Sequence, residues 1–271
     1  MRAGRLITYA AVAGGGFRRY STYRAATYAG VFTNSVFGVI FCFTYLALWK
    51  ERPDIGGWDS TDAVTFVWIA QSLLMTMAVF GGGFADELAE RIRSGDIAVD
   101  LYRPVDLQAW RMAEDYGRAA FHLLGRGVAP TLVGAVLFDL NWPDHLVTWL
   151  WFACALVLGV AVSFSIRYLV GLAAFWLLDV RGFMVVIGFI QLFCSGVILP
   201  LVVFPDGLEQ VLRVLPFACL VQVPADVFLE KATGLGLLVA LGSQLVWAAV
   251  LLGAGWLLTR RAARRLVVQG G

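Results

Sequence analysis

The sequence predicts an all-α membrane protein with six transmembrane helices and an N-terminal helix at the membrane surface. Three observations lead to this class. Hydrophobic residues make up 60% of the 271 residues, and the mean hydropathy is +0.77. Only 15% of the residues are charged, against about 25% in an average soluble domain. Apolar runs of about 20 residues, the length that crosses a bilayer, recur along the chain. The chain therefore lacks the polar surface of a soluble domain, and lipid must cover much of it.

The first 24 residues are expected to form an amphipathic helix along the inner membrane surface. The start "MRAGRLITYAAVAGG" is basic and then apolar, a pattern that also fits a signal peptide. However, "FRRYSTYR" follows at once, and positive charge directly after a cleavage site opposes translocation. We therefore favour the interfacial helix over the signal peptide.

Six apolar runs are predicted to cross the membrane. The fourth run is longer than one crossing requires, and Arg167 interrupts it. Arg167 falls about 20 residues after the start of that span, so we expect it at the opposite interface, with its side chain among the headgroups. Arg126 in the third run either marks a pathway or, as we expect, lies at headgroup level. The six runs are residues 25–49, 63–83, 119–138, 146–178, 183–204 and 235–258.

The distribution of Lys and Arg predicts that both termini are cytoplasmic. In that orientation fifteen basic residues lie inside: five in 1–24, five in 82–118, one in 179–182 and four at the C-terminus. Such an excess is typical of cytoplasmic loops. Together with the predominance of Arg over Lys, it favours a multi-pass protein of a bacterial plasma membrane. The four basic residues left outside are Lys50, Arg52, Arg213 and Lys231.

The densest charge cluster, "ELAERIRSGDIAVDLYRP", lies in the one long cytoplasmic connection of this topology. Phe84, Leu88 and Ile92 would form an apolar stripe on a helix, and Gly95 is a typical helix-stopping residue. The next residues, up to 103, are expected to be extended or in turns, and Pro104 to begin another helix.

This connection fits either a solvated loop or a docking element. Residues 82–118 carry eight acidic and five basic side chains, a balance that suits a basic partner surface. A solvated loop requires neither an apolar stripe nor a helix-stopping glycine. We therefore favour the docking element.

The segment after the fifth span, residues 205–233, is too polar and proline-rich to cross the membrane again. Asp206 and Glu209 predict the start of a short helix through Leu215, and Pro216 ends it. A second short helix is expected in 224–230. Because "PFACLVQVPADVF" is apolar, we expect a re-entrant hairpin in the outer interface. The hairpin fits a cap that closes the bundle as well as it fits a gate.

The residue inventory gives little support to enzyme activity. A Walker A motif needs a Gly-Lys pair to bind phosphate, and the two lysines, Lys50 and Lys231, do not follow glycine. His122 and His145 are the two histidines, and neither belongs to a metal-binding or nucleophile motif. The four cysteines have no CxxC spacing, so no metal site is expected. A net charge of +2 is too small to indicate nucleic acid as a partner.

Two motifs resemble the membrane subunits of ABC-2 type exporters. "ELAERIRSGDIAVDLYRPVDLQ" is similar to the cytoplasmic signature of one bacterial branch, and "CSGVILPLVVFPDGLEQVLRVLP" resembles the family's pattern after its fifth span. The order of parts also matches, so the resemblance covers essentially the whole chain. It implies one transmembrane domain, 1–271, with a coupling helix between spans 2 and 3 inside a cytoplasmic coupling region at 84–116. It also implies a re-entrant outer hairpin at 205–233, between spans 5 and 6.

The resemblance implies a permease powered by a separate ATPase, with ATP and Mg bound by that partner and no cofactor bound by this chain. Two permeases, identical or related, and two ATPase subunits would export an apolar or amphiphilic drug, peptide or lipid. The implied coupling residues are Glu87, Leu88, Glu90, Arg91, Ile92, Arg93, Gly95, Asp96, Asp100 and Arg103. The implied outer-gate residues are Gly196, Pro200, Pro205, Asp206, Glu209 and Pro216.

Aromatic residues of the first two spans form a candidate substrate path, although lipid-facing packing is the commoner role for such side chains. Two other functions remain open. An ion-coupled secondary transporter usually has internal repeats and acidic residues within its spans, and we find neither pattern. A membrane-embedded enzyme or scaffold is the third class. The path residues are Phe37, Phe41, Tyr45, Phe66 and Trp68.

Overall fold

The computed structural model describes residues 2–53, 55–80, 83–177 and 179–264. Helix accounts for 82% of the structure, and the described residues contain no strand, which confirms the all-α class. Residues 81, 82 and 178, at the predicted ends of the second and fourth spans, lie outside the described residues. So does Arg265, one of the basic residues near the C-terminus.

The described residues form a series of α-helices. A π-helical turn, Leu123–Gly127, joins α6 to α7, and α8 continues into a 3-10 helix, Ala173–Phe175. The helices are α1 (Arg2–Ser21), α2 (Arg24–Glu51), α3 (Ser60–Thr76), α4 (Phe84–Ser94), α5 (Ile97–Tyr102), α6 (Leu107–His122), α7 (Val128–Leu137), α8 (Leu146–Leu172), α9 (Arg181–Cys194), α10 (Asp206–Val214), α11 (Gln222–Phe228) and α12 (Leu235–Ala263).

Among the residues that the structure describes, four helices are long and apolar enough to cross a membrane: Arg24–Glu51, Leu107–Leu137, Leu146–Phe175 and Leu235–Ala263. They correspond to the first, third, fourth and sixth predicted spans. The second and fifth predicted spans correspond to shorter helices, α3 with 17 residues and α9 with 14. A multi-pass helical bundle is therefore clear from length and composition.

The helix that contains the third predicted span starts twelve residues before that span. A continuous helix of 31 residues runs from Leu107 to Leu137, which at 1.5 Å per residue is about 46 Å. This exceeds the roughly 30 Å of hydrocarbon in a bilayer, so one end projects beyond it. Sequence hydropathy misses the projecting part because several of its polar side chains are buried against other helices.

The N-terminal helix α1 lies along α6 with their backbones in close contact. A Cβ atom at Gly16 would overlap the carbonyl oxygen of Glu114, and one at Gly117 would overlap that of Ala13. Glycine therefore allows the two helices to approach. Leu6 and Ile7, at 72% and 70% exposure, leave an apolar surface uncovered on α1, as an interfacial helix requires.

Helix α8 lies at the centre of the bundle. The second half of α8 is almost entirely buried, and α12 packs against α8 in the same direction. The amide of Gln244 near the start of α12 donates to the carbonyl of Ala155 at 3.0 Å, and Thr259 near its end contacts the Tyr168 hydroxyl at 2.8 Å. These contacts fix the register between the two helices.

Residues 195–234, here called the distal segment, fold at the end of the bundle where α8 and α12 begin. Its helix α10 starts at Asp206 as predicted, but Pro205 is the N-cap residue and no side-chain cap forms. Glu209 instead accepts a hydrogen bond from Arg213 at 2.7 Å. The second short helix begins at Gln222, two residues before the predicted start, and α11 is buried along its whole length. The predicted pair of short helices is present, and the predicted capping contact is wrong.

Candidate functional site

The connection between α3 and α6, residues 83–106, forms a compact unit here called the elbow. Helix α4 ends at Ser94, and Gly95 adopts a left-handed conformation with φ of +83°. Its N–H bonds to the carbonyl of Ile92 at 3.3 Å. A residue with a side chain is strained at this φ, so the predicted helix-stopping role of Gly95 is confirmed.

Two sequence predictions about the rest of the elbow are wrong. The sequence predicts an extended or turn segment up to residue 103, whereas Ile97–Tyr102 forms α5. It also predicts a helix start at Pro104, whereas α6 starts at Leu107 because the Asp106 carboxylate accepts the Ala109 N–H at 2.8 Å. A six-residue helix is too short to form from local propensity, and tertiary contacts of Ile97 and Asp100 stabilise it.

The apolar stripe of α4 packs against this chain itself. Phe84 is 6% exposed, Leu88 is fully buried, and both belong to a cluster with Phe164, Tyr168 and Leu172 of α8. The rings of Phe84 and Phe164 stack with centroids 5.0 Å apart, and Ile92 packs partly buried at the edge of the cluster. The stripe therefore attaches the elbow to the central helix, and a partner cannot use it for docking.

Several of the predicted coupling residues form ion pairs within the elbow or with the neighbouring helices α1 and α6. Arg91 Nε lies 2.6 Å from Asp100 Oδ2, and Arg111 of α6 lies 3.7 Å from the same carboxylate oxygen. Glu87 forms an ion pair with Arg19 of α1, and the hydrogen bond that Arg19 donates to Glu87 raises the pKa of Arg19 above its ordinary value. These contacts connect α1, α4, α5 and α6, so Glu87, Arg91 and Asp100 hold the elbow together.

The surface of the elbow that faces away from α8 is partly apolar and partly charged. Its most exposed apolar side chains are Val99 at 59% and Tyr102 at 77%, and we call these two residues the tip. Four acidic and two basic residues accompany the tip, so the exposed surface is acidic. Its exposed residues are Gly83, Asp86, Glu90, Arg93, Ser94, Gly95, Asp96, Val99, Tyr102, Arg103, Pro104 and Asp106.

Sequence reasoning misses the tip because it assigns no helix to "IAVDLY". On a helix, Ile97 and Leu101 share one face by their i, i+4 spacing, and Val99 and Tyr102 share another by their i, i+3 spacing. In the structure Ile97 is fully buried. Assigning α5 from this spacing would have identified Val99 and Tyr102 as a candidate contact surface.

Three buried charged residues form a second feature, here called the charge junction: Asp115, Arg118 and Arg167. Arg167 Nη2 lies 2.6 Å from Asp115 Oδ2, and Arg118 Nε lies 2.6 Å from Asp115 Oδ1. The three residues are 2%, 5% and 2% exposed. The sequence predicts that Arg167 reaches the headgroups; this is wrong, because Asp115 provides a buried partner on α6.

The charge junction joins the end of α3 and the start of the elbow to α6 and α8. Arg118 donates to the carbonyl oxygens of Met75 at 2.7 Å and Thr76 at 3.0 Å, where α3 ends. The guanidinium of Arg167 lies 4.9 Å from the ring centroid of Phe84, the first residue of α4. A buried and fully bonded charge network resists separation, so these four helices are held together at one point.

Arg126, in the π-helical turn, lies directly against Gly30 of α2. A Cβ atom at Gly30 would overlap its guanidinium. Within the described part of the chain Arg126 Nε has no hydrogen-bond partner, and π-helical turns often mark functional sites. The predicted headgroup position of Arg126 stays a prediction.

The six predicted gate residues all lie in the distal segment. Gly196 has φ of +87°, and a Cβ atom there would lie 2.7 Å from Gln222 Oε1. The helices α10 and α11 are linked by Arg213, whose Nη1 lies 2.6 Å from Asp226 Oδ2. Burial raises the pKa of Asp226, while Arg213 and Gln222 oppose that rise. The remaining gate residues are Pro200, Pro205, Asp206, Glu209 and Pro216.

The structure divides the candidate aromatic path into two groups. Phe37, Phe41 and Tyr45 follow one another along α2, with ring centroids 6.5 and 6.2 Å apart; Phe37 is half exposed and Tyr45 is buried. Phe66 and Trp68 are fully buried in the core, where they pack against other aromatic rings. The five residues therefore do not line one surface.

Comparison with protein families identifies the chain. The family model described as ABC-2 family transporter protein matches residues 14–270. The chain belongs to the ABC-2 transporter family. A comparison with curated proteins found no match. The resemblance seen in the two sequence motifs is thereby confirmed.

As an ABC-2 transporter, the chain is a multi-pass membrane protein and a transport subunit of a family that is generally not itself catalytic. Members of the family typically work with an ABC ATPase. Within the described ranges of this ABC-2 chain, no group of three His, Cys, Asp or Glu side chains is placed to hold a metal ion. The elbow and the charge junction are its two charge-rich features at one end of the bundle.

Proposed function

We propose that this chain is the permease subunit of an ATP-driven exporter in a bacterial plasma membrane. It works with two ATPase subunits and a second permease, identical or related, and moves an apolar or amphiphilic drug, peptide or lipid. ATP and Mg bind to the ATPase. The observation that carries the proposal is the elbow, which presents an exposed tip and is fixed to the bundle on its other side.

The contacts of the elbow support a transmission of force from the ATPase to the spans. When ATP closes the ATPase dimer, the partner presses on the tip and on the acidic surface around Glu90 and Asp96. The buried stripe of α4 passes the displacement to α8, and the Arg91–Asp100 pair keeps α4 and α5 moving as one body. The charge junction then moves the ends of α3, α6 and α8 together.

Six crossings with both termini in the cytoplasm fit the order of the helices. The chain alternates between the elbow end and the distal end through α2, α3, α6 with α7, α8, α9 and α12. The short helices α3 and α9 count as crossings because each of them connects the distal end with the elbow end. The basic residues of α1, the elbow and the end of α12 then lie on the cytoplasmic side.

A contact with a second permease is supported by helix α9. Phe183, Val185, Val186, Phe189 and Phe193 are each at least 43% exposed, so several sides of α9 have no cover from this chain. A second copy that packs along α9 would place the substrate path between the two permeases. The distal segment then closes that path on the outer side as a gate.

Coexpression tests the proposal. When the chain is coexpressed with the ABC ATPases of its own genome, an ATPase is expected to copurify and its ATP hydrolysis to be stimulated. Arg91→Ala removes the closest ion-pair partner of Asp100 and is expected to reduce the stimulation by about tenfold, because the rigid connection between α4 and α5 is lost. Arg18→Ala, which removes an exposed arginine of α1, is the matched control and is expected to change nothing.

Two results would contradict the proposal. One is transport by the purified chain without any ATPase, which would favour an ion-coupled transporter. The other is full stimulation of a copurified ATPase by the Arg91→Ala variant.

A further inference from the structure

A cleft of about 930 Å³ lies between the distal segment and α12. Its volume falls within the range of roughly 300–1,000 Å³ that ligand pockets occupy. The cleft lies at the end of the bundle opposite to the elbow, so a ligand that binds in it does not depend on coupling to an ATPase.

One wall of the cleft is a groove along α12. Gly236, Ala240 and Ser243 line it and share one helix face by their i, i+4, i+7 spacing. Val239 and Val246 flank this strip of small residues, and both are more than 60% exposed. The groove is therefore open to the side, toward the lipid that surrounds a membrane-spanning helix.

The groove has the depth of one membrane leaflet. It extends from Gly236 to Trp247, eleven residues and thus about 16 Å along the helix, while half of a hydrocarbon core is about 15 Å. Trp247 closes the deep end, because its indole N–H donates to the carbonyl of Val214 at 3.0 Å and ties α12 to α10.

The open end of the cleft carries charges of both signs. Glu209, Arg213, Asp226 and Lys231 line it, two acids and two bases. Arg213 uses two of its N–H groups on Glu209 and Asp226, whereas a guanidinium has five. Lys231 Nζ lies 2.5 Å from Asp62 Oδ2, yet the side chains of Arg213 and Lys231 stay 34% and 32% exposed, so both retain donors for a bound anion. Asp226 is buried and bonded to Arg213 and Gln222, whereas Glu209 stays 21% exposed and can receive a cation.

From this arrangement we propose that the cleft binds a zwitterionic lipid from the leaflet opposite to the elbow. The head group lies at the charged end, with its negative group on Arg213 and Lys231 and its positive group on Glu209. An acyl chain lies along Gly236, Ala240 and Ser243 down to Trp247. A lipid with a net negative head group fits less well, because Asp62, Glu209 and Asp226 outnumber Arg213 and Lys231 at this end.

Photolabelling in nanodiscs tests this site. The probes are phosphatidylethanolamine, phosphatidylglycerol and diacylglycerol, each with the same diazirine-bearing acyl chain. Phosphatidylethanolamine is expected to label α12 about tenfold more than either other probe. Ala240→Trp fills the groove and is expected to reduce this labelling about tenfold. Ala249→Trp, nine residues further and therefore on the opposite helix face, is expected to leave the labelling unchanged.

A second variant adds no volume and tests the head-group contact. Lys231→Gln is expected to reduce labelling by phosphatidylethanolamine and to leave labelling by diacylglycerol unchanged. Equal labelling by the three probes, or an equal loss in the two tryptophan variants, would overturn the proposal. Disulfide formation between two copies of an Ala240→Cys variant, in a background without the native cysteines, would assign the cleft to a second permease instead and also overturn it.

Discussion

Replacement of Asp115 by alanine is expected to lower the free energy of unfolding by about 3–5 kcal/mol, the usual cost of breaking a buried ion pair. The substitution leaves Arg167, 2% exposed, without its carboxylate partner in the bundle. Arg118 keeps the carbonyl oxygens of Met75 and Thr76, so Arg167 bears most of the loss. In thermal unfolding of the purified protein in detergent, the midpoint should fall by roughly 10 °C.

Two further variants separate the charge junction from a general effect of the substitution. Glu114→Ala removes the neighbouring carboxylate, whose ion pairs with Arg19 and Arg111 lie in a more exposed place, and should cost about 1 kcal/mol or less. Asp115→Ala combined with Arg167→Met should be more stable than Asp115→Ala alone, because the double variant does not bury the unpaired charge of Arg167. Equal losses in the Asp115 and Glu114 variants would contradict the charge junction.

Removal of the tip by Val99→Ser with Tyr102→Ala is expected to weaken binding of the ATPase by about 2 kcal/mol, or roughly thirtyfold in Kd. Tyrosine is enriched among the residues that dominate binding energy, and truncation of such residues costs at least about 2 kcal/mol. The unfolding midpoint should hardly change, since both side chains are exposed and such surface substitutions usually cost within about 0.5 kcal/mol. Binding can be measured by titrating purified ATPase onto the permease in nanodiscs.

The matched control for the tip is Tyr28→Ala. Tyr28 is 72% exposed but lies on α2, a candidate membrane span, where lipid rather than a soluble partner would contact it. We expect wild-type affinity for this variant. An unchanged Kd in the tip variant, or the same loss in the Tyr28 variant, would show that the ATPase binds elsewhere.

The fold class and the order of parts could be predicted because hydropathy and helix-stopping signals are local. The four long spans and Gly95 each depend on residues adjacent in the sequence. The charge junction could not be predicted in this way, because Asp115 and Arg167 are 52 residues apart. An arginine in an apolar run suggests a headgroup position unless its partner is known, and only the packing of α6 on α8 reveals that partner.

The elbow illustrates the same limit in the candidate site. The sequence shows a dense charge cluster between two spans and an apolar stripe formed by Phe84, Leu88 and Ile92. It does not show whether this stripe contacts a partner or another helix of the same chain. The structure places that stripe on α8 and leaves Val99 and Tyr102 exposed. Six residues are too few to form a helix from local propensity, so the i, i+3 spacing of Val99 and Tyr102 becomes informative only once α5 is known from the folded chain.

The proposed function requires that the elbow receive force from a separate ATPase through direct contact at its tip. Site-specific photocrosslinking detects that contact, with a photoreactive phenylalanine analogue at position 102 and, as control, at position 28. We expect a covalent adduct between position 102 and the ATPase polypeptide, and none from position 28. Adducts from position 102 with lipid or with a second permease alone, while the ATPase is bound and active, would contradict the proposed function.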